Sequence, residues 1–369
     1  RINIINYELT KRRFYMGFEI DYLAVGEGEK GGDAIVFRYG DLLSKDRKDQ
    51  KIIVIDGGTK ESGKKLVNHI KLYYNTDYVD LVVCSHIHSD HSSGLTEVLT
   101  ELKVGQLFMH LPWKHSSDIK NMFVNDQLTH KGIKEKVEKS LTSIKDLEVI
   151  ANQNRIPIIE PFQGLSYDND ASILVLSPDE EYYNELLANF DILPETKDKF
   201  TLFERTQSFG KRIIKWVSET LDHITETLGD DGETNPENNS STIILFRFGE
   251  KRFLFTGDAG IPAIERAIKY ADTKGIDLSN VDFLDLPHHG SKRNIGKTLI
   301  QHFKPNLAII SAPTNGDPKH PSRKVVNALK RRGAKVLATK GSNICHSNNA
   351  PERNWTDAKE LPFYNQVED

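Results

Sequence analysis

The chain of 369 residues is predicted to adopt an α/β fold. Short apolar runs rich in β-branched residues alternate with longer stretches in which apolar residues recur every three to four positions. Polar residues able to bind metals or move protons follow directly after several of the short runs. Hydrophobic residues make up 38% of the chain and charged residues 28%, which is an ordinary globular mixture. Buried strands flanked by helices are therefore expected.

The predicted strands are apolar runs bounded by turn residues, at 52–55, 81–83, 173–176, 242–246, 253–255, 283–284 and 307–310. Runs without polar alternation are typical of strands that are covered on both faces. The strands at 242–246 and 253–255 are joined by a short connection that contains Gly249, and this connection predicts a hairpin.

Two helices are predicted between the candidate ligand groups described below. The first, from about 131 to 147, rests on apolar residues at helical spacing: Ile133, Val137, Leu141 and Ile144. The second rests on the same spacing further along: Ile213, Val217, Leu221 and Ile224. We expect a single domain over 1–369, in which residues from about 111 to 237 include a partly helical cap insertion.

The composition indicates which cellular compartment and which classes of partner to expect. No run approaches the roughly 18 to 20 apolar residues that cross a bilayer, and the first residues lack the apolar segment of a signal peptide, so we expect a soluble protein without a membrane partner. Two cysteines, Cys84 and Cys345, provide no disulfide framework, which favours the cytoplasm. The net charge of −4 argues against coating nucleic acid over the whole surface but allows a local basic patch. Nothing in the sequence indicates an oligomeric state.

Three histidines and an aspartate follow the run at 81–83 in the pattern His86-x-His88-x-Asp90-His91. Alternation along an extended chain sends His86 and His88 to one side, while Asp90 and His91 follow at the start of a helix. Imidazole and carboxylate are the ligands expected for zinc, and they also suit manganese. The spacing predicts two divalent metal ions side by side, with zinc as the first choice and manganese as the second.

Two later runs also end in candidate ligands. The run at 253–255 leads into Thr256-Gly257-Asp258, so that the Asp258 carboxylate could bridge two cations; the alternative role is a helix N-cap. The strand expected at 281–286 is followed by the adjacent pair His288 and His289. Sequence alone leaves open which of these two histidines binds metal.

Taken together, these motifs resemble the metallo-β-lactamase superfamily. The finer pattern is similar to the metallo-β-lactamase domain of ComEC-like competence proteins and their stand-alone relatives, through the segments 32–35, 55–58, 239–241, 256–258, 288–291 and 320–321. The resemblance covers residues from about 20 to 340. It implies an αββα sandwich with a dinuclear site along one edge of two packed sheets, and a helical insertion between the metal-ligand motifs.

The resemblance also implies a role for each candidate residue. Six metal ligands are expected: His86 and His88 at the first metal, Asp90, His91 and His289 at the second, and Asp258 as the bridge. His288 would then face the substrate, and Asp33 and Asp56 would support the loops of the site. Asp90 would also orient the attacking water, while His288 or His320 could stabilise negative charge or protonate the leaving oxygen.

One departure from the superfamily pattern concerns the first metal. Many members supply a further histidine from a Gly-His motif between the first ligand run and the bridging aspartate, and no Gly-His occurs in that interval. His110 is the best substitute and His115 the next, although either could be an ordinary loop histidine. The first metal could therefore have fewer protein ligands than the second.

Basic residues are frequent after the last candidate ligand, at Lys292, Arg293, Lys319, His320, Arg323 and Lys324. Cations beside a metal site favour an anionic, phosphate-bearing substrate such as DNA or a nucleotide, with Lys292 and His320 as substrate-binding residues. The competing interpretation is a solvated basic face, above all for Arg323 and Lys324 on an expected surface helix.

The sequence thus favours a metal-dependent hydrolase, and a phosphodiesterase or nuclease in particular. The ComEC-like resemblance implies the same substrates, because those domains are associated with DNA degradation. A lactam or lactone hydrolase is the alternative enzyme, since the inserted segment could close a pocket over a compact substrate. A catalytically dead binding protein is a third possibility, and the complete set of candidate ligands argues against it.

Overall fold

Two β-sheets packed face to face form the centre of this computed structural model. It describes residues 16–26, 31–44, 46–125, 127–168, 171–196, 216–317, 319–353 and 358–369. The strands, in chain order, are β1 (Gly17–Tyr22), β2 (Ala34–Gly40), β3 (Gln50–Gly57), β4 (Tyr78–Val79), β5 (Leu81–Val83), β6 (Lys103–Val104), β7 (Leu107–Phe108), β8 (Ile158–Ile159), β9 (Ile173–Ser177), β10 (Trp216–Ser218), β11 (Ile243–Phe248), β12 (Lys251–Phe255), β13 (Phe283–Asp285), β14 (Leu307–Ile310), β15 (Lys335–Ala338), β16 (Ile344–Asn348) and β17 (Gln366–Glu368).

Each large sheet combines an antiparallel part with a parallel part. The first has the order β16-β1-β2-β3-β5-β7-β8, and its strands from β3 to β8 run parallel. The second has the order β15-β14-β13-β12-β11-β9, and its strands from β12 to β15 run parallel. Because the carboxyl ends of parallel neighbours meet at one edge, the loops after β5, β12 and β13 are well placed to build a site.

The helices cover the outer faces of the two sheets. The α-helices are Lys60–Tyr73, Ser89–Ser92, Leu95–Glu101, His130–Ser140, Thr142–Gln153, Glu180–Ala188, Pro236–Asn239, Ile261–Thr273, Pro287–Gly290, Lys297–Phe303 and Arg323–Arg331. Short 3-10 helices lie at Arg47–Asp49, Pro112–His115 and Lys120–Met122. Buried helix residues such as Leu66 and Ile264 pack with outward-facing strand residues in one apolar cluster, which gives the layer order helix, sheet, sheet, helix. Among these helices, none is long and apolar enough to cross a bilayer.

Aromatic side chains fill the layer between the sheets. Phe37 of β2 stacks on Phe255 of β12 with ring centroids 5.4 Å apart, and Phe18 of β1 meets Phe253 edge-on at 4.9 Å. These residues belong to a second buried cluster drawn from both sheets. Such pairs fix the position of one sheet relative to the other, and therefore the relative position of the two halves of the candidate site.

The seven predicted strands are all present, within β3, β5, β9, β11, β12, β13 and β14. The predicted hairpin is also confirmed, since Phe248 of β11 pairs with Lys251 of β12 across the turn. The first predicted helix is instead two helices, His130–Ser140 and Thr142–Gln153. The chain breaks at Leu141, whose ψ of 57° lies outside the helical range.

The second predicted helix begins outside the described residues, at Ile213. Over the described residues the prediction is wrong, because Val217 pairs with Val367 in a two-stranded sheet of β10 and β17. The supposed apolar face is not buried: Leu221 is 65% exposed and Ile224 is 93% exposed. The Asp222 carboxylate accepts from the backbone N–H of Ile224, a local turn that competes with helix.

Gly94 lies where the loop after the first ligand run meets β3 and the helix Lys60–Tyr73. A Cβ added at Gly94 would lie 1.9 Å from the backbone oxygen of Gly57, and one added at Gly63 would lie 2.2 Å from that of Gly94. We expect Gly94→Ala to lower the free energy of unfolding by about 3 kcal/mol, because backbone on both sides must shift. Urea denaturation measures this, with Gly132→Ala, in a helix and with more room, as control. Equal stability of Gly94→Ala and the wild type would contradict the packing.

His346 on β16 packs among Phe18 and Phe283 at the end of the intersheet layer. Burial, together with the charges of Lys251 and Lys335, lowers the pKa of His346 to about 4. Between the ordinary value of 6.5 and that value the unfolded chain binds more protons, so the free energy of unfolding falls as the pH falls.

Replacement of this imidazole is therefore expected to protect against acid. His346→Phe should lose about 2 kcal/mol less stability than the wild type between about pH 7 and about pH 5. Urea midpoints at the two pH values measure the difference, and His223→Phe at an exposed position is the control. The same acid sensitivity in His346→Phe and the wild type would show that His346 takes up its proton freely in the folded chain.

Candidate metal centre

The candidate ligands come together at one edge of the sandwich. His86 follows β5 of the first sheet, whereas Asp258 and His289 follow the neighbouring strands β12 and β13 of the second. Backbone hydrogen bonds join these segments: the N–H of Thr242 donates to the oxygen of Ser85 at 2.9 Å. Residues far apart in the chain therefore meet where the two sheets face each other.

The first group of possible ligand atoms belongs to His86, His88 and Asp258, and these atoms lie within 4.8 Å of one another. His86 Nε2 is 3.1 Å from His88 Nδ1 and 3.6 Å from Asp258 Oδ2. His86 is buried and His88 is half-buried. This group contains the residues that sequence analysis assigned to the first metal, together with the expected bridge.

The second group belongs to Asp90, His91 and His289, again within 4.8 Å. His91 Nε2 is 3.3 Å from Asp258 Oδ1, so the two oxygens of Asp258 face one group each. The Asp258 side chain is 3% exposed. A carboxylate in this position can serve two cations at once.

Several atoms of the cluster are buried without a hydrogen-bond partner among the described residues. They include His91 Nε2, Asp258 Oδ1 and His289 Nδ1. Buried polar atoms normally find partners, so an unsatisfied set of imidazole nitrogens and a carboxylate oxygen is typical of a metal-binding site. These donor types fit zinc, and the carboxylates also fit manganese. The residues present therefore fit a pair of divalent cations.

Asp56 at the end of β3 orients His91. Its Oδ2 is 2.8 Å from His91 Nδ1, and its Oδ1 accepts from the backbone N–H of Ser85 at 2.7 Å. A carboxylate on one ring nitrogen sets the tautomer that leaves the other nitrogen free for metal. Sequence analysis gave Asp56 only a loop-supporting role and did not consider Ser85, whose position directly before His86 was the available signal.

Asp33 also belongs to this neighbourhood. One of its oxygens is 3.5 Å from His289 Nδ1 and the other is 3.7 Å from His91 Nδ1. Asp33 forms a further group within 4.8 Å with His91 and Asp258. Its carboxylate therefore touches the candidate ligands themselves as well as their loops.

The electrostatics of the cluster are strongly perturbed. Burial alone would lower the pKa of His91, but the carboxylates of Asp258 and Asp33 outweigh it and raise that pKa well above its usual value. Burial would raise the pKa of Asp258, yet the imidazoles of His288 and His91 hold it well below its usual value. At His86, burial and then His91 lower the pKa. A divalent cation would replace the proton of His91, since metal ligands must be deprotonated.

The adjacent histidines both have left-handed backbone angles, with φ of 48° at His288 and 56° at His289, and their rings are inclined at 72° to each other. His289 is buried within the second ligand group, whereas the His288 side chain is 29% exposed. The Nδ1 of His288 is 3.1 Å from both Asn238 Nδ2 and Asn294 Oδ1. Sequence analysis missed both asparagines. Their contacts arise only when distant segments meet.

His320 lies beside this pair. Its ring stacks on that of His288, with centroids 5.4 Å apart, and is 6.0 Å from that of His289. This position keeps His320 next to the candidate centre, as the substrate-binding prediction requires. Burial, and then the charges of His289 and His288, lower the pKa of His320 to about 3, so this ring is a neutral hydrogen-bonding group at neutral pH.

His110, the candidate extra ligand, lies outside the four ligand groups that the described residues form. It is buried against Tyr183, with ring centroids 4.2 Å apart, and its Nδ1 is 4.0 Å from Glu160 Oε1. Burial lowers the pKa of His110 to about 3. His115 is also outside these groups, because its Nε2 binds Glu160 Oε1 at 3.0 Å.

The candidate cations are not arranged as one surface patch. Lys292 is half-buried, and its Nζ donates to the backbone oxygen of Asp369 at 2.7 Å. Arg323 forms an ion pair with Asp317 at 2.7 Å. Lys324 is only 8% exposed, so the competing interpretation of a solvated face does not hold for this residue.

A sandwich of two sheets between helices, with a histidine and aspartate cluster at one edge, defines a class of metal-binding fold. Residues 47–148 match the model of the metallo-beta-lactamase superfamily. Over these residues the chain is similar to this superfamily, as predicted, and the predicted fold class is confirmed.

Two curated proteins resemble part of the chain. ComE operon protein 3 of Bacillus subtilis is 34% identical over 103 residues, which are 28% of this chain and 13% of that protein. Recombination protein 2 of Haemophilus influenzae is 31% identical over 106 residues, which are 29% of this chain and 13% of that protein. The matched segments thus cover a small part of either relative.

Solved structures with similar folds have low sequence identity. A diphosphatase of the PhnP family has a TM-score of 0.34 and 11% identity, with 80% of this chain and 87% of that chain covered. The Rm3 metallo-beta-lactamase has a TM-score of 0.30 and 12% identity, with 84% and 91% covered. At these scores the two structures say nothing about the activity of this chain.

Proposed function

We propose that this chain is a metal-dependent hydrolase of phosphodiesters, acting on DNA or a nucleotide. The observation that carries the proposal is Asp258, whose two oxygens each face a separate group of imidazole nitrogens at 3.3 and 3.6 Å. Two divalent cations in such a pair of groups supply an activated water and hold the attacking and leaving oxygens of a displacement.

The ligand assignment follows the two groups. His86, His88 and Asp258 would hold one cation, and Asp258 would share the second with the remaining three predicted ligands, Asp90, His91 and His289. Asp90 is half-buried at the start of the helix Ser89–Ser92, so that it could also orient water. Asp56 would keep His91 Nε2 directed at the centre through its bond to Nδ1.

His288 is placed to handle a proton. In the protonated ring, Nδ1–H donates to Asn294 Oδ1 at 3.1 Å, and Nε2 lies on the side of Asp258, 3.6 Å from Oδ2. Because the ring is partly exposed, a substrate can reach it. We assign protonated His288 the donation of its Nε2 proton to the leaving oxygen, which leaves the ring neutral, with the stacked His320 limiting its movement.

The preference for phosphate rests on nearby cations. Lys292 and Arg293 follow His289 by three and four residues. Lys324 is close enough to Lys292 for its charge, after burial, to lower the pKa of Lys292. Ammonium and guanidinium groups bind phosphate oxygens strongly, whereas a neutral lactam or lactone has no use for them. The position of these cations therefore favours the phosphodiester over the alternative substrates.

Hydrolysis of a substrate panel tests the proposal. The purified chain, with zinc or manganese added, would be assayed on bis-p-nitrophenyl phosphate, single- and double-stranded DNA, and a chromogenic lactam. We expect metal-dependent cleavage of the diesters, reduced on the order of 10²-fold or more in Asp90→Ala. Cleavage of the lactam alone, or no cleavage of any substrate by a metal-loaded chain, would overturn the proposal.

A further inference from the structure

A cavity of about 440 Å³ lies beside the candidate centre, and none of the residues grouped as possible metal ligands lines it. Three cationic side chains line it, those of Lys292, Arg293 and Lys324. Gly229 and Gly232 also line it, and without side chains they let a ligand approach the backbone. A side chain at position 232 would not fit, because an added Cβ would lie 2.5 Å from the backbone oxygen of Arg293.

Lys324 is the unusual member of this set. It is the second residue of the helix Arg323–Arg331 and is 8% exposed. Its side chain has no hydrogen bond or ion pair within the part of the chain that the structure describes. Lysine is seldom this buried, and Lys324 Nζ is not among the fully enclosed atoms that have no hydrogen-bond partner, so its ammonium group faces the open space of the cavity. The burial of Lys324 beside open space therefore indicates an anionic ligand.

The neighbouring charges point to the same conclusion. Burial and then the charge of Lys324 lower the pKa of Lys292, so two cations repel each other across the cavity. Glu368 and Asp369 offset part of this repulsion at Lys292. Two carboxylates, Asp231 and Glu233, also line the cavity, and both are exposed. The charged lining residues that are buried or half-buried are thus Lys292 and Lys324.

The cavity is close to the candidate centre. Three peptide units separate Lys292 from His289, so their Cα atoms are at most about 11 Å apart. Asn294 joins the two regions: its Nδ2 donates to the backbone oxygen of Asp258 at 2.8 Å and is 3.4 Å from Thr234 Oγ1, next to the loop that lines the cavity. The residues that line the cavity are therefore close neighbours of the candidate ligands.

We propose that this cavity binds a second phosphate group of the substrate, held by Lys292, Arg293 and Lys324 while the scissile phosphodiester lies at the metal centre. The inference rests on the proposed function for the identity of the substrate. The second phosphate would be either the next phosphodiester of a polynucleotide or the terminal phosphate of a nucleotide, which present the same oxygens to these cations.

Binding of inorganic pyrophosphate tests the cavity without requiring catalysis. Calorimetric titration of the purified full chain is expected to show binding that Lys324→Met weakens about tenfold and Lys324→Arg retains. Lys297→Met, which removes an exposed lysine outside the cavity, is the matched control. Any affinity of the metal centre for pyrophosphate is common to all four proteins, so the difference reports on the cavity. Equal affinity of Lys324→Met and the wild type would overturn the inference.

Substrate length then identifies the source of the phosphate. The wild type should prefer substrates with a second phosphate over dithymidylate, and Lys324→Met should raise the KM for those substrates about tenfold. A preference for unphosphorylated trithymidylate identifies the next phosphodiester, whereas a preference for 5′-phosphorylated dithymidylate alone identifies the terminal phosphate. Lys324-dependent binding of pyrophosphate without any diester cleavage would remove the proposed function and leave the anion site. Cleavage of the diesters without either preference would support the proposed function and overturn the anion site.

Discussion

Asp258→Asn is expected to lower kcat/KM for bis-p-nitrophenyl phosphate on the order of 10³-fold, because it removes the carboxylate whose two oxygens face His86 and His91, one from each ligand group. The amide has nearly the same shape, but its nitrogen offers no lone pair to the second group. Elemental analysis should show loss of bound metal together with loss of activity. The alternative role as a helix N-cap does not apply, since the helix Ile261–Thr273 has Gly260 at that position.

A matched control separates this effect from a general loss of negative charge. Asp272→Asn removes an exposed carboxylate from the helix Ile261–Thr273, which follows Asp258 in the chain. This variant should leave both metal content and turnover as in the wild type. If Asp258→Asn kept its metal and its activity, the shared carboxylate would not be needed, and the ligand assignment would have to be abandoned.

Asp56→Asn is expected to weaken metal binding about 10- to 100-fold, although Asp56 is assigned no metal. The carboxylate accepts from Ser85 N–H and holds His91 Nδ1, so its loss frees the ring and removes the charge that supports the imidazole. Competition with a chromogenic chelator measures the affinity. Saturating metal should restore a large part of the turnover, which would not happen if the variant were merely unfolded.

The control for this variant is Asp49→Asn, an exposed aspartate immediately before β3, which should bind metal like the wild type. An unchanged metal affinity in Asp56→Asn would show that His91 is oriented by other contacts. Asp33, 3.7 Å from His91 Nδ1, would then be the first residue to substitute.

The features that sequence could predict are those encoded locally. The run from His86 to His91 places four candidate ligands within six residues, so their grouping needs only a turn after a strand. Buried strands are similarly local, because an unbroken apolar run identifies them. Asp258 and the pair His288 and His289 could be added because each follows such a run, whereas the choice of His289 as the ligand came from the family resemblance. The structure groups both Asp258 and His289 with the first set.

Features that depend on packing between distant segments could not be predicted. Leu221 and Ile224, which suggested a helix, are both exposed among the residues that the structure describes. A solvated helix face was one interpretation of Lys324, yet the loop containing Gly229 and Gly232 lies nearby and lines a cavity with it. The contact of Asn294 with Asp258 also requires the tertiary fold.

The most direct measurement is the location of bound metal in crystals of the purified chain soaked with zinc or manganese, by anomalous scattering. Two peaks about 3.5–4 Å apart are expected, one on each side of the Asp258 carboxylate, with His86 and His88 at one and His91 and His289 at the other. A single peak, or no peak at Asp258 in a chain that contains metal, would contradict the dinuclear centre on which the proposed hydrolysis depends.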